Sequence, residues 1–254
     1  MALPAAASSR WRWLIAIGAA GAFTALAVSV HLGLLNAFDS IVREWVRPGD
    51  VWGATQMRAD YVVEGLRPAV VIGLLAVFTV ALSVVRRSWR PVAFVGGVWL
   101  ITAALTGASK VATGRPNPHG IVESHGGSFP SGHTISVVVC LGLAALVARP
   151  RVGRWSWLIP ALGGALMGAC LLIQAAHWST DVVGGGLLAT CVLTAASASR
   201  WRQWSEGPPG HDRGRFASGK NAATSLTSVG TVGPDGAAGP QSRFDDAPSA
   251  EGSQ

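Results

Sequence analysis

Apolar residues in this chain fall into long blocks almost free of charge, separated by short polar clusters. Residues 13–38 contain no Asp, Glu, Lys or Arg. That run is too long for the hydrophobic part of a signal peptide and lacks a convincing cleavage site, so it predicts a retained first membrane helix. Similar blocks occupy residues 68–85, 91–109, 130–148, 155–176 and 182–199. A helix needs about 20 apolar residues to cross the hydrocarbon layer. The pattern therefore predicts an all-α, polytopic membrane protein, a bundle of about six transmembrane helices. Between the first two blocks, residues 39–67 carry charges of both signs. There Ile41, Trp45 and Val46 recur at roughly helical spacing around Arg43 and Glu44, which predicts an interfacial helix and loop broken at Pro48-Gly49-Asp50. Gly184-Gly185-Gly186 would let the last helix pack closely on a neighbour. The chain thus divides into a first segment with its membrane helix (1–38), the interfacial stretch (39–67) and a core with the remaining helices (68–204). A tail follows (205–254), rich in Gly, Ser, Ala and Pro; it has nothing to bury and is expected to be disordered.

Composition supports this picture and adds a direction. Half of the 254 residues are hydrophobic and only 13% are charged, which excludes an ordinary soluble domain. The net charge of +7 comes from arginines in short clusters between apolar blocks, with no basic run interleaved with aromatics. It therefore points to membrane topology and away from nucleic acid. Arg10 and Arg12, the cluster at 86–90, the cluster at 149–154, and Arg200 with Arg202 share one side if six helices alternate. The positive-inside rule makes that side, with both termini, cytoplasmic in a multi-pass protein of the cell membrane. Cys140, Cys170 and Cys191 sit inside apolar blocks without ligand spacing, and no disulfide is expected.

The same alternation gathers the candidate chemistry on the opposite, extracytoplasmic face: Lys110, Arg115, Ser131, His133, His177 and Asp181. Between Glu64 and Glu206 the only acidic residues are Glu123 and Asp181, so a carboxylate kept there is a functional candidate. Ser131-Gly132 opening a helix would present backbone N–H groups and the positive end of the helix dipole to a phosphate, with His133 beside them as a proton donor. His177 and Asp181 are four apart, so the carboxylate can accept from one ring nitrogen and leave the other as a nucleophile. Taken singly, the first group could be a capped helix with a surface histidine, and the second an interfacial ring and a helix cap. Their convergence on one face favours a single site. His119, His125 and His133 have no compact ligand spacing, so no metal is expected.

These blocks resemble the type 2 phosphatidic acid phosphatase and vanadium haloperoxidase superfamily, in its membrane-bound lipid phosphatase branch. Its pattern is Lys-x6-Arg-Pro, then Pro-Ser-Gly-His, then Ser-Arg-x5-His-x3-Asp. The resemblance covers residues from about 60 to 200 and leaves Pro130-Ser131-Gly132-His133 and His177 to Asp181 intact. It implies that His177 is the nucleophile and passes through a phosphohistidine, with Asp181 orienting it and His133 as general acid. Lys110, Ser131 and Gly132 would hold phosphate, and no metal or other cofactor is implied. Two positions depart from the pattern: Asn117 stands where the first block has arginine, and Cys170-Leu171 where the third has Ser-Arg. Arg115 is expected to compensate in part, so Arg115 and Asn117 join the expected phosphate cradle, and Gln174 is a polar residue one turn before His177.

The implied function is hydrolysis of a lipid-linked phosphate or diphosphate, either phosphatidic acid-like or an isoprenoid diphosphate, with the bilayer supplying the substrate. Two other readings stay open: a catalytically impaired member that binds a lipid headgroup or partners another membrane protein, and a lipid phosphotransferase. On the topology, a reporter fused after Arg202 should be cytoplasmic and one inserted near Gly120 extracytoplasmic. Reversed labelling would contradict the charge argument.

Overall fold

In a computed structural model, which describes residues 5–122, 126–148 and 155–206, the chain is a helical bundle. Its α-helices are α1 (Ala5–His31), α2 (Asn36–Val46), α3 (Ala54–Gly65), α4 (Pro68–Val85), α5 (Arg90–Thr113), α6 (Gly132–Ala148), α7 (Trp155–Ile173), α8 (Ser179–Ala198) and α9 (Arg200–Glu206). Among the described residues, five stretches are long and apolar enough to cross a membrane: Ser9–His31, Ala54–Val85, Arg90–Thr113, Ser156–Ile173 and Ser179–Ala198. The remaining expected span, α6, is an apolar helix of 17 residues. The arginine cluster at 149–154, the residues Glu123 and His125, and the tail from 207 onward lie outside the described residues.

Two boundaries differ from the hydropathy pattern. The first apolar run does not stay helical to residue 38, because α1 ends at His31 and Gly33 turns the chain with a φ of 70°. Apolar residues on both sides of that turn hid it. The interfacial stretch divides into α2, a short 3-10 turn at Pro48–Asp50 and α3. The break falls at Pro48-Gly49-Asp50 as the sequence implies, with Gly49 in the left-handed region at φ 65°. Arg47 clamps this turn to the rest of the bundle by donating to the carbonyls of Val51, Asp50 and Gln174.

α6 forms the centre. It packs on α4, α7 and α8, while α1 lies along α8 and α5 contacts α4 and α9. Beyond its first turns its residues are apolar, and 11 of the 17 are buried, as befits a helix packed among others. Phe94, Val139, Leu143, Met167 and Leu193 are fully enclosed around it. The outward faces of α1, α4 and α5 expose Ile17, Val28, Leu74, Val77, Val80, Leu100 and Ile101, which suits contact with lipid tails. Inside, the hydroxyls of Thr79 and Thr102 donate to carbonyls one turn back, so no new partner is required in the apolar layer.

The triple glycine of α8 allows the close helix packing expected of it, since a Cβ on Gly185 would lie 3.2 Å from Thr134 of α6, and it also admits the loop before α6. A Cβ on Gly184 would lie 2.4 Å from the Phe129 ring, and one on Gly185 would lie 3.0 Å from the Ser131 carbonyl oxygen, whereas Gly186 faces open space. Two of the glycines therefore let the loop before α6 settle directly onto α8. From the other side Phe23 of α1 stacks on Phe129 with ring centroids 5.7 Å apart. Gly184→Val should consequently destabilise the protein by about 1–3 kcal/mol through overpacking. Gly186→Val should be tolerated. Thermal unfolding in detergent measures both, and equal melting temperatures would contradict the packing described.

Candidate active site

Three segments distant in sequence meet at one end of the bundle: the end of α5 with residues 114–117, the loop 126–131 leading into α6, and the turn 174–181 leading into α8. The loop is stitched to α5 by backbone bonds, Gly127 N–H donating to the Lys110 carbonyl and Ser128 N–H to the Arg115 carbonyl. Gly127 has to be glycine here, since a Cβ would fall 2.4 Å from the Arg115 nitrogen. The loop meets α8 through the Ser131 N–H, which donates to the Asp181 carbonyl at 3.0 Å. Ser131 is fully enclosed and its hydroxyl accepts from the Thr134 N–H and hydroxyl, an N-cap for α6. Ser131, expected to hold phosphate, uses its amide to hold the loop and its hydroxyl to cap the helix start, and the first-turn amides after it are the ones without a carbonyl one turn back. A Cβ at Gly132 would meet nothing within 4 Å, so this point is the open mouth of the site.

His177 lies in the turn between α7 and α8, which Ala175 makes by adopting a left-handed φ of 53°. Its Nδ1 is 3.4 Å from Asp181 Oδ2, a long contact, and the same oxygen accepts from the Trp178 N–H at 3.1 Å. The carboxylate thus fixes the turn as well as the ring. His133, in the first turn of α6, faces His177 with ring centroids 6.2 Å apart. The rings meet edge to face, with an interplanar angle of 66°. Lys110, in the last turn of α5, donates from Nζ to the Gly127 carbonyl at 2.7 Å and so borders the same loop.

Arg115 is placed otherwise than the sequence implied. It is buried; one Nη donates to Asp181 Oδ1 at 2.9 Å and to the Thr180 hydroxyl at 2.6 Å, and the other to Asp39 Oδ2 at 2.6 Å. Its guanidinium also sits 5.2 Å from the centre of the Trp178 ring. Arg115, expected in the phosphate cradle, is thus placed as a strut between α2 and α8, held by two carboxylates. Asn117, also expected in the cradle, closes a turn: its side-chain oxygen accepts the His119 and Ile121 N–H groups, and its own N–H donates to the Ile121 carbonyl. Leu171 lies in the apolar core, and Gln174 donates to Asp60 at 2.8 Å.

Asp39 is the residue that sequence reasoning missed. Buried on the inner face of α2, it accepts from Arg115, from the hydroxyls of Ser179 and Thr180, and from the Thr180 N–H. The signal available was a lone carboxylate directly after an apolar run, but the mixed charges that follow it made it look like ordinary interfacial polarity. Burial alone would raise its pKa, yet the bonds from Ser179, Thr180 and Arg115 outweigh burial and hold it below the usual carboxylate value. Since its folded-state pKa is lowered, its stabilising contribution is present at neutral pH and is lost as the pH falls through the normal carboxylate range. The melting-temperature gap between native protein and Asp39→Asn should therefore narrow below about pH 4. A gap independent of pH would contradict the buried ionised carboxylate.

With this geometry in place, the comparisons with known proteins can be read. Residues 91–205 match the family model of the PAP2 superfamily, a range that contains Lys110, His133, His177 and Asp181 but not Asp39. No curated protein matches the chain in sequence. Among solved structures, it is similar to a transmembrane PAP2-type phosphatidylglycerolphosphate phosphatase from Bacillus subtilis, with a TM-score of 0.58 and 17% identity over 71% of this chain and 93% of that one. At that identity the likeness speaks for the fold, and the fold agrees with the family match and with the arrangement of the two histidines and Asp181. The chain is thus a multi-pass membrane protein whose residues 91–205 match the PAP2 superfamily.

Proposed function

We propose that the protein is an integral membrane phosphatase acting on a lipid-linked phosphate or diphosphate at the extracytoplasmic end of the bundle. The observation that carries this reading is the facing pair of imidazoles, with centroids 6.2 Å apart and one of them backed by Asp181. Asp181 accepts a hydrogen bond from the Nδ1–H of His177, which leaves Nε2 with its lone pair available for attack. Nε2 attacks phosphorus and the bond from phosphorus to the lipid oxygen breaks, while His133 donates a proton to that departing oxygen. The product is a phosphohistidine and a free lipid alcohol, or a lipid monophosphate where the substrate is a diphosphate. Water then attacks phosphorus and gives its proton to His133, and the phosphorus–nitrogen bond breaks to release phosphate. Lys110 and the first-turn amides of α6 at Gly132 and His133 stabilise the phosphoryl oxygens. A lipid alcohol in place of water would make the same intermediate serve phosphotransfer.

A second reading, an impaired member that binds a phosphorylated headgroup without turning it over, is favoured by one observation. Leu171 is packed within the apolar cluster beside Met167 and Cys170, and Asn117 is used up in its turn. Neither position can receive an arginine without rearrangement.

Phosphate release from a panel of lipid phosphates separates the readings. Hydrolysis by the native protein, abolished in His177→Ala and reduced at least about 100-fold in Asp181→Asn, supports the enzyme. Leu171→Arg should lower the melting temperature with no gain in rate, because it buries an unpaired charge. Binding of lipid phosphates without any hydrolysis would establish the impaired member in its place, and full activity of His177→Ala would remove the nucleophile assignment.

A further inference from the structure

Asp181 divides its two oxygens between two partners. Oδ2 serves the His177 ring and the Trp178 N–H, while Oδ1 serves Arg115. Such a division is unstable by itself. A guanidinium beside a single carboxylate prefers the bidentate pairing, with two parallel N–H···O bonds. If Arg115 took both oxygens, Oδ2 would leave the imidazole. Arg115 would also cancel the charge of Asp181, and an imidazole beside a neutral ion pair is a poorer nucleophile than one beside a carboxylate.

Asp39 prevents both. It occupies the second Nη of Arg115, so only one Nη remains for Asp181. It also brings the buried set of two carboxylates and one guanidinium to a net charge of −1. We propose that Asp39 is a positioning residue for the reaction at His177: it holds Arg115 in a one-point contact with Asp181 and restores the negative charge that Arg115 would otherwise remove from behind the imidazole. The inference rests on His177 being the nucleophile. It places a control of the reaction in α2, which begins 55 residues before the family-matched region at 91.

The other charged groups around this set have partners of their own. On α2, Arg43 pairs with Asp50 at 3.1 Å, Glu44 accepts the Gly49 N–H, and Arg47 is bound to Asp50 and to the Gln174 carbonyl. Asp60 of α3 accepts from Gln174, and His119 lies 3.9 Å from Asp50. His31, the last residue of α1, borders a cavity of about 400 Å³ with Arg115 and Trp178. On the far side of His177 stand His133 and, with Nζ on the Gly127 carbonyl, Lys110. The charge of Asp39 reaches His177 through Arg115 and Asp181.

The test is a titration of His177 in the full-length protein in detergent, followed by NMR with labelled histidine and assigned by loss of its signal in His177→Asn. In Asp39→Asn the set becomes neutral, and the His177 midpoint should move to lower pH. In Arg115→Met, which retains both carboxylates, it should move to higher pH. In the double variant one negative charge remains, so the midpoint should return toward the native value although the protein is less stable than either single variant. Turnover should follow the same order, with kcat for Asp39→Asn reduced roughly tenfold or more and KM little changed. An unmoved midpoint in both single variants, or a double variant as displaced as Asp39→Asn, would overturn the proposal and leave Asp39 a structural anchor. Should Asp39→Asn fail to fold, Arg115→Met alone decides by whether its midpoint rises. A native protein without phosphatase activity would remove the enzyme reading and still leave the His177 midpoints to be measured.

Discussion

A guanidinium out of water must be paired, and in this protein that requirement ties the site together. Arg115 lies buried between Asp39 and Asp181, at 2.6 and 2.9 Å. Removing Arg115 would leave two buried carboxylates without a cation, a loss on the order of 3–5 kcal/mol. The three residues come from α2, from the segment after α5 and from α8, so one electrostatic necessity fixes how the interfacial helix, the phosphate-side loop and the histidine turn meet. Gly127 allows the loop to lie against the Arg115 backbone, and Gly184 allows Phe129 to sit on α8. The side chains of the chemistry are thus held by contacts that are themselves not chemical.

The same economy leaves the phosphate side with little positive charge. Where the superfamily pattern has two arginines, this chain has a leucine in the core and an asparagine closing a turn. The arginine it does place nearby is neutralised by carboxylates. Lys110 and the amides at the start of α6 are what remains to meet phosphoryl oxygens among the described residues, and each can act only as a point charge or a dipole without the bidentate fork of a guanidinium. A substrate delivered within the bilayer needs less affinity from the headgroup pocket, since its chain already confines it to the membrane plane.

Much of the architecture was legible because hydropathy has a coarse grain in membrane proteins: each apolar block must be long enough to cross, and each polar cluster must stay out. The meeting of His133, His177, Asp181 and Lys110 at one end followed from alternation of the spans. Finer features were hidden for physical reasons. The turn at Gly33 interrupts a run that is apolar on both sides. The glycines of α8 meet a loop as well as the start of α6, and composition does not encode the loop. Asp39 and Arg115 are 76 residues apart, and nothing local to either indicates the other. Arg115 was read by charge as a phosphate ligand, yet a buried arginine answers first to whichever carboxylates share its low-dielectric surroundings.

The covalent step is the point on which the functional account turns, and it can be observed directly. Native protein mixed with a phosphorus-labelled lipid phosphate and quenched within a turnover should carry label in the peptide containing His177, stable to base and released by acid as expected of a phosphoramidate. The label should be missing in His177→Ala. Turnover by the native protein with no label on any histidine, or label that persists in His177→Ala, would contradict the assignment of His177 as the nucleophile.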